Sequence, residues 1–260
     1  MTDRKVRAEK DGAVGKIILD DGKVNSYDLG FMRDLDAAID IAIDDPEVKA
    51  VVLLSASPKG VFSAGADIKA FLANSVEQNL EMIDFAHMAL RKIAKSEKIF
   101  IAAIAGGAYG GGLEMALACD FRCAQAGDYK LGLPEVTLGL LPGNGGTVRL
   151  PRLIGYQRAM EMMVTGRLIS PQVAFEWGVV DRLVDGDVVA DAVAWAEQLS
   201  RQATMAIGRI KRSVMDGMSQ PIGLALDNER ALIVDLFHSA DAKEGLTAFT
   251  ERRKPEFLGR

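Results

Sequence analysis

The chemistry in this chain centres on Glu114, which follows a glycine-rich loop. An apolar run at 99–105 is typical of a buried strand, and five glycines lie in the next seven positions: Gly106, Gly107, Gly110, Gly111 and Gly112. Small and apolar residues after the loop indicate a helix with Glu114 in its first turn. Backbone N–H groups at a helix N-terminus are unpaired and favour negative charge. A carboxylate beside such donors suits acid/base chemistry next to an oxyanion.

A second stretch repeats this arrangement nearer the N-terminus. The apolar run 49–55 predicts a buried strand, and a small-residue turn at Gly65 and Ala66 leads into a predicted helix. Two such turns can each supply one backbone N–H to the same oxygen if they face each other, which spacing alone does not determine. Another glutamate, Glu135, follows a proline and precedes a tight loop at 142–147. Two carboxyl groups that differ in protonation state can share the acid and base roles.

The elements that must position these groups are β-α units. Helical periodicity over 29–43 separates strands at 14–19 and 50–54, so we expect a parallel sheet. An Asp11-Gly12 turn is expected to join a strand at 6–9 to the strand at 14–19 as a hairpin, and 24–26 is predicted as a loop. No GxGxxG turn follows a strand, which argues against a dinucleotide-binding domain. The other predicted elements are strands at 6–9, 99–105 and 121–124 and helices at 67–73, 75–96, 156–165, 171–177, 188–200, 205–218 and 222–239.

Composition and charge exclude several classes of protein. The 260 residues suffice for one large domain or a domain with an appendage, and 49% hydrophobic residues are ordinary for a globular chain. A net charge of −5 without a basic run argues against nucleic-acid binding. The polar segment 1–12 has no signal core, and no apolar run reaches the roughly 20 residues of a membrane helix. We therefore expect a cytoplasmic protein.

The remaining reactive side chains do not predict a second kind of chemistry. Cys119 and Cys123 have no further Cys or His nearby to complete a zinc site, so we expect buried free thiols and no metal. His87 and His238 lie in helical patterns outside any motif, which favours satisfied or solvent-facing rings over a general base.

Several segments together resemble the crotonase (enoyl-CoA hydratase/isomerase) superfamily, and most of all enoyl-CoA hydratase. They are FSAGADIKAF at 62–71, AGGAYGGGLEMALACD at 105–120, LPEVTLGLLPGNGGTVRLPRLIG at 133–155 and the tail FHSADAKEGLTAFTERRKPEF at 237–257. The resemblance covers almost the whole chain and implies an α/β fold, the crotonase-like ββα superhelix with a helical C-terminal trimerisation region. We place the core with its CoA site at 1–186 and the helical region at 187–260.

The resemblance also implies roles for individual residues. Glu114, in the GGGxE motif, and Glu135, in the PExxxG motif, hold a water molecule between them, and the N–H groups of Ala66 and Gly111 form the oxyanion hole. Three kinds of substrate contact are implied as well. The Gly143 amide helps to place the water, and Lys69 lies near the CoA phosphates, with Lys59 a weaker candidate. The CoA is also touched, through backbone and shape, by Ala64, Asp67 and Ile68.

The implied reaction is the reversible hydration of a 2-enoyl-CoA to a 3-hydroxyacyl-CoA, with no cofactor beyond the CoA of the substrate. A Δ3,Δ2-enoyl-CoA isomerase, which needs only the Glu135-type base, stays open. So do hydratases of cyclic, aromatic or branched acyl-CoAs, hydration coupled to C–C cleavage, and a non-catalytic CoA-binding protein. We expect a homotrimer or homohexamer, with Phe249 and Lys254 of the tail near the CoA. Two departures are Ala105, where many members have Asn, and the missing proline before Asn25.

Overall fold

Ten strands build the centre of the fold in the computed structural model, which describes residues 4–260. The first three residues of the polar N-terminal segment lie outside that range. In chain order the strands are β1 (Val6–Asp11), β2 (Val14–Leu19), β3 (Ser26–Tyr27), β4 (Ala50–Ser55), β5 (Gly65–Ala66), β6 (Ile99–Ile104), β7 (Ala108–Tyr109), β8 (Phe121–Gln125), β9 (Leu131–Gly132) and β10 (Arg182–Val184).

Six of these strands form one sheet in the order β1-β2-β4-β6-β8-β10. β1 and β2 are an antiparallel hairpin, and all other neighbours are parallel, which confirms the predicted parallel sheet. The hairpin register pairs Asp11 with Val14, so the turn is Gly12-Ala13, one residue later than predicted. Gly12 has a φ of 58°, a left-handed conformation that glycine adopts without strain. β10 has no counterpart among the predicted strands because three half-buried residues carry too little pattern.

The helices agree closely with the periodicity of the sequence. Ser75 caps the third helix through a capping box, and Met82, Ala86, Ala89, Leu90 and Ile93 of that helix are buried. The last helix was not among the predicted elements. The helices are α1 (Leu29–Asp44), α2 (Ile68–Ala73), α3 (Val76–Lys95), α4 (Gly111–Ala118), α5 (Gly146–Ile154), α6 (Tyr156–Thr165), α7 (Pro171–Trp177), α8 (Val188–Ser200), α9 (Thr204–Gly217), α10 (Ile222–Phe237) and α11 (Ala240–Glu251).

Helices cover both faces of the sheet. On one face, α1, α3 and α4 pack with alternate residues of β2 and β4 into the larger apolar core. On the other face, α8 contributes Val188, Ala192 and Ala196, which are spaced by four and form one stripe against β2, β4 and β6. The region predicted at 187–260 therefore begins with a helix that shares a core with the sheet of 1–186.

Two small parallel sheets connect the loops above the large sheet. β3 pairs with β5, and β7 pairs with β9, each through two residues. The structure therefore differs from the predicted loop at 24–26 and turn at Gly65 and Ala66, where short strands form. A two-residue strand has no alternating pattern, so the sequence carries no signal for either pairing.

Candidate active site

The two small-residue turns face each other. Asp67 N–H donates to Tyr27 O at 2.9 Å in the β3–β5 ladder, and successive N–H groups of a strand point to opposite edges. Ala66 N–H therefore points away from β3. A Cβ placed on Gly65 would lie 3.4 Å from the Gly111 nitrogen, which is in the first turn of α4. The two segments that carry the predicted oxyanion donors are therefore in contact.

Glycines are required where these two segments cross. A Cβ on Gly106 would lie 1.6 Å from Gly60 O, and a Cβ on Gly112 would lie 2.5 Å from Ser63 O. Backbone bonds join the segments at the same place, because Tyr109 N–H donates to Ser63 O at 3.0 Å. Any larger side chain would separate the two turns.

Glu114 is buried in the first turn of α4, with 1% of its surface exposed. Its Oε1 accepts hydrogen bonds from the backbone N–H groups of Asn144, at 2.8 Å, and Gly146, at 2.6 Å. Burial raises the pKa of Glu114 to about 7, and the charge of Glu135 adds to the increase. The two N–H bonds and the nearby Arg149 guanidinium act in the opposite direction. Glu114 therefore exchanges a proton near neutral pH.

Glu135 approaches the same site from the other side. It begins a short 3₁₀ helix, Glu135–Leu138, that ends at Gly139. A Cβ on Gly110 would lie 3.0 Å from Glu135 Oε1, which places this carboxyl group against the start of α4. Its Oε2 is buried without a hydrogen-bond partner within residues 4–260, and burial raises the pKa of Glu135. An unpartnered carboxyl oxygen of this kind is suited to bind a polar ligand.

The other predicted site residues lie around this centre at different depths. Ala64 is half-buried and donates its N–H to Val24 O at 2.9 Å. The carboxylate of Asp67 caps α2 by accepting from the N–H groups of Lys69 and Ala70. Ile68 and Lys69 are exposed on α2.

Gly143 lies directly before Asn144, so its loop adjoins Glu114. The structure thus brings Ala66, Gly111, Glu114, Glu135 and Gly143 to one site. It places the Lys69 side chain at the surface beside that site.

Three polar side chains at this site are additional to the predicted residues. Asn144 Nδ2 donates to the Tyr27 hydroxyl at 2.6 Å, and both side chains are buried. His87 Nε2 lies 2.6 Å from Gly143 O, although the ring is exposed. Only the position of Asn144 inside a glycine-rich loop pointed to a special role. No local pattern identified Tyr27.

The remaining candidate chemistry is limited. Cys119 and Cys123 are buried free thiols, as predicted, and burial raises the pKa of each to about 12. Within residues 4–260, no three His, Cys, Asp or Glu side chains are close enough together to hold a metal ion. Nor does any helix in that range combine the length and apolar character that a membrane crossing requires.

Comparisons with known proteins identify the family of the chain. The sequence profile of the enoyl-CoA hydratase/isomerase family matches residues 9–260. A protein of Mycosarcoma maydis named enoyl-CoA isomerase/hydratase is 38% identical, over 84% of this chain and 79% of its own length. A crotonyl-CoA hydratase of Syntrophomonas wolfei is 35% identical over 91% of each chain.

The solved structures include a similar fold over the full length. An enoyl-CoA hydratase of Geobacillus kaustophilus superposes with a TM-score of 0.96 and 42% sequence identity, covering 100% of this chain and 98% of that one. This match confirms the predicted crotonase-like α/β fold. The chain is an enzyme of the enoyl-CoA hydratase/isomerase family.

Proposed function

We propose that this enzyme catalyses the reversible hydration of a 2-enoyl-CoA to a 3-hydroxyacyl-CoA. The observation that carries the proposal is the placement of two glutamates with raised pKa values, buried Glu114 and half-buried Glu135, against the start of α4. We assign the oxyanion hole to the N–H groups of Ala66 and Gly111, because a Cβ on Gly65, next to Ala66, would lie 3.4 Å from the Gly111 nitrogen. Acid, base and oxyanion donors are the three components that this reaction requires.

The proposed mechanism uses the glutamates as a pair that shares one proton near neutral pH. The ionised carboxylate accepts a proton from water as the water oxygen bonds to C3, and the protonated carboxyl group delivers a proton to C2. The pair thus holds the same number of protons before and after. Negative charge that develops on the thioester oxygen is stabilised by Ala66 N–H and Gly111 N–H, each worth about 3 kcal/mol in comparable sites.

The CoA part of the substrate is assigned to the rim of the site. Ala64, Asp67 and Ile68 present backbone and apolar surface there, and exposed Lys69 suits a phosphate group. Gly143 is assigned to the placement of water. Since hydration transfers no electrons, we propose that no cofactor is needed beyond the CoA of the substrate.

Exposed apolar side chains on the C-terminal helices support a trimer or hexamer as the working state. They include Ile210, Ile222, Leu226 and Phe237, all more than half exposed in the single chain. The predicted contribution of Phe249 and Lys254 to the CoA site stays part of this proposal. The two free thiols are consistent with a reducing compartment, and we propose the cytoplasm.

Isomerisation of a 3-enoyl-CoA is the second candidate function. The unpartnered Oε2 of Glu135 favours it, because a single base can move a proton between C2 and C4. The relative from Mycosarcoma maydis carries both activities in its name.

The test is to follow the ultraviolet absorbance of crotonyl-CoA with the wild-type enzyme, Glu114→Gln and Glu135→Gln. A hydratase is expected to lose about 10²- to 10⁴-fold in kcat with either change, since each removes one proton-transfer group. The surface variant Glu176→Gln is the matched control and is expected to keep full activity.

Loss of activity only with Glu135→Gln, on a 3-enoyl-CoA, would assign isomerisation instead. A folded wild-type enzyme that binds CoA thioesters and leaves crotonyl-CoA unchanged would contradict the hydratase proposal.

A further inference from the structure

Tyr27 and Asn144 form a buried polar pair between the elements of the active site. Each has only 4% of its surface exposed, and Asn144 Nδ2 donates to the Tyr27 hydroxyl at 2.6 Å. A hydroxyl and a carboxamide buried together satisfy one another, and separating them leaves at least one polar group unpaired. The bond joins β3 to the loop before α5, which are 117 residues apart in sequence.

Asn144 connects this pair to Glu114. Its backbone N–H donates to Glu114 Oε1 at 2.8 Å, and its carbonyl accepts from Arg149 at 2.8 Å. The side chain and the main chain of Asn144 are therefore held at three points. The side-chain bond of Asn144 is therefore one of the contacts that hold its N–H against Glu114.

Tyr27 connects the same pair to the two facing turns. A Cβ on Gly111 would lie 1.9 Å from the Tyr27 hydroxyl oxygen, so the phenol occupies the space beside the first residue of α4. The Tyr27 carbonyl accepts from Asp67 N–H, and Tyr27 is the ladder partner of Ala66. One residue thus contacts both segments that carry the proposed oxyanion donors.

We infer that Tyr27 and Asn144 are positioning residues that hold the Glu114 carboxyl group in register with the N–H groups of Ala66 and Gly111. This inference rests on the proposed function, since it assigns roles within that site. The pair acts on the reacting groups through Glu114 and Gly111. Its loss should therefore lower kcat and leave KM nearly unchanged, because the assigned CoA contacts lie at Ala64 and at the start of α2 and do not include the two side chains of the pair.

The surroundings of Glu114 define the expected pH response. Glu135 faces it from the 3₁₀ helix, Arg149 from α5 and the Tyr27 phenol from β3, and His87 of α3 contacts the adjacent Gly143 carbonyl. The Asn144 N–H bond lowers the pKa of Glu114. A loosened loop weakens that bond, so the pKa of Glu114 should rise by on the order of half a unit.

The experiment compares Tyr27→Phe, Asn144→Ala and the double variant with the wild-type enzyme. Tyr27→Phe keeps the ring and removes only the hydroxyl, and Asn144→Ala removes the other partner. Tyr129→Phe is the matched control, because Tyr129 is a half-buried phenol whose hydroxyl donates to the carbonyls of Ile104 and Gln125, away from Glu114. We measure kcat and KM on crotonyl-CoA against pH, and titrate the infrared carboxyl band assigned to Glu114 by its loss in Glu114→Gln.

We expect each single variant to lose about 10-fold in kcat with KM within about twofold, and the double variant to lose no more than the worse single variant. The pKa of Glu114 read from the infrared titration should rise in all three variants and stay unchanged in Tyr129→Phe. An unchanged titration and kcat in Tyr27→Phe, additive losses in the double variant, or an equal loss in Tyr129→Phe would overturn the inference. An inactive wild-type enzyme would reject the proposed reaction, and the titration without substrate would still decide the positioning role.

Discussion

Two carboxyl groups near opposite ends of α4 are both withdrawn from water, but their partners differ. Glu114, in the first turn, accepts only backbone N–H bonds from Asn144 and Gly146. Asp120, just beyond the last turn, accepts from the ammonium group of Lys211 at 2.8 Å and from Phe100 N–H at 2.8 Å. Among residues 4–260 no cation contacts the Glu114 carboxyl group, whereas Lys211 contacts that of Asp120.

The partner decides what each carboxyl group does. Burial raises the pKa of Asp120, but the Lys211 charge opposes that increase. Lys211 also donates to the carbonyls of Ile93 and Lys98, so the ion pair fastens α9 to α3 and to the start of β6. Glu114 has no such partner and keeps its proton into the neutral range. A buried acid thus stabilises the fold when a cation contacts it and becomes available for proton transfer when only amides do.

The strongest test of this comparison is Asp120→Asn. The change leaves the Lys211 charge buried without its partner, and we expect a loss of about 4 kcal/mol in the free energy of unfolding. Activity per folded molecule should stay close to that of the wild-type enzyme, whereas Glu114→Gln should show the opposite pattern. Chemical denaturation, with kcat measured on the folded fraction, checks both expectations.

A matched control separates burial from charge. Glu197→Gln removes the partner of Arg201 in an exposed ion pair at the end of α8. We expect it to lower the free energy of unfolding by less than about 1 kcal/mol. If Asp120→Asn lowered the free energy of unfolding no more than Glu197→Gln does, the pair of Asp120 and Lys211 would not stabilise the fold in the way that we expect.

The raised pKa of Glu114 also predicts how the stability of the protein depends on pH. The folded-state pKa of Glu114 lies above its unfolded value, so folding retains a proton that the unfolded chain releases. Stability is therefore full below about pH 4.5 and falls as pH rises towards 7, by up to about 3 kcal/mol. Glu114→Gln stays neutral and should be more stable than the wild-type enzyme at pH 8, with little difference at pH 5.

Thermal unfolding of both proteins at equal concentration measures this difference. If the Tm difference between Glu114→Gln and the wild-type enzyme were the same at pH 5 and at pH 8, Glu114 would not keep its proton into the neutral range. Asp120→Asn serves as the reference, since its stability should lie below the wild type at both pH values.

The same contrast explains which features the sequence reveals. Gly111 and Glu114 belong to one local pattern, a strand followed by glycines and a helix, and that pattern predicted both the element and the position of the acid. The raised pKa of Glu114 depends on amides that follow 30 and 32 residues later, so no local pattern predicts it.

Long-range pairing is also the reason that other features were missed. The facing of the two turns depends on β3 and β5, whose two residues each show no alternation. Tyr27 and Asn144 meet across 117 residues, and Lys211 and Asp120 across 91. Each of these side chains is unremarkable in its own segment, and only the folded sheet brings the partners together.

The smallest expected effect concerns the space around Glu114. A Cβ on Gly146 would lie 2.9 Å from Glu114 Oε1 and 2.8 Å from Pro142 Cβ, so Gly146→Ala must displace the amide that bonds the carboxyl group. We expect a loss of about 2 kcal/mol in stability together with a lower kcat. Gly186→Ala is the control, because no atom lies within 4 Å of the added Cβ, and its effect should stay within about 0.5 kcal/mol. Equal stability and kcat for the two variants would mean that the Glu114 carboxyl group tolerates movement of its amide partners. The pKa of Glu114 would then depend on burial without a contacting cation, and not on the exact position of the amides.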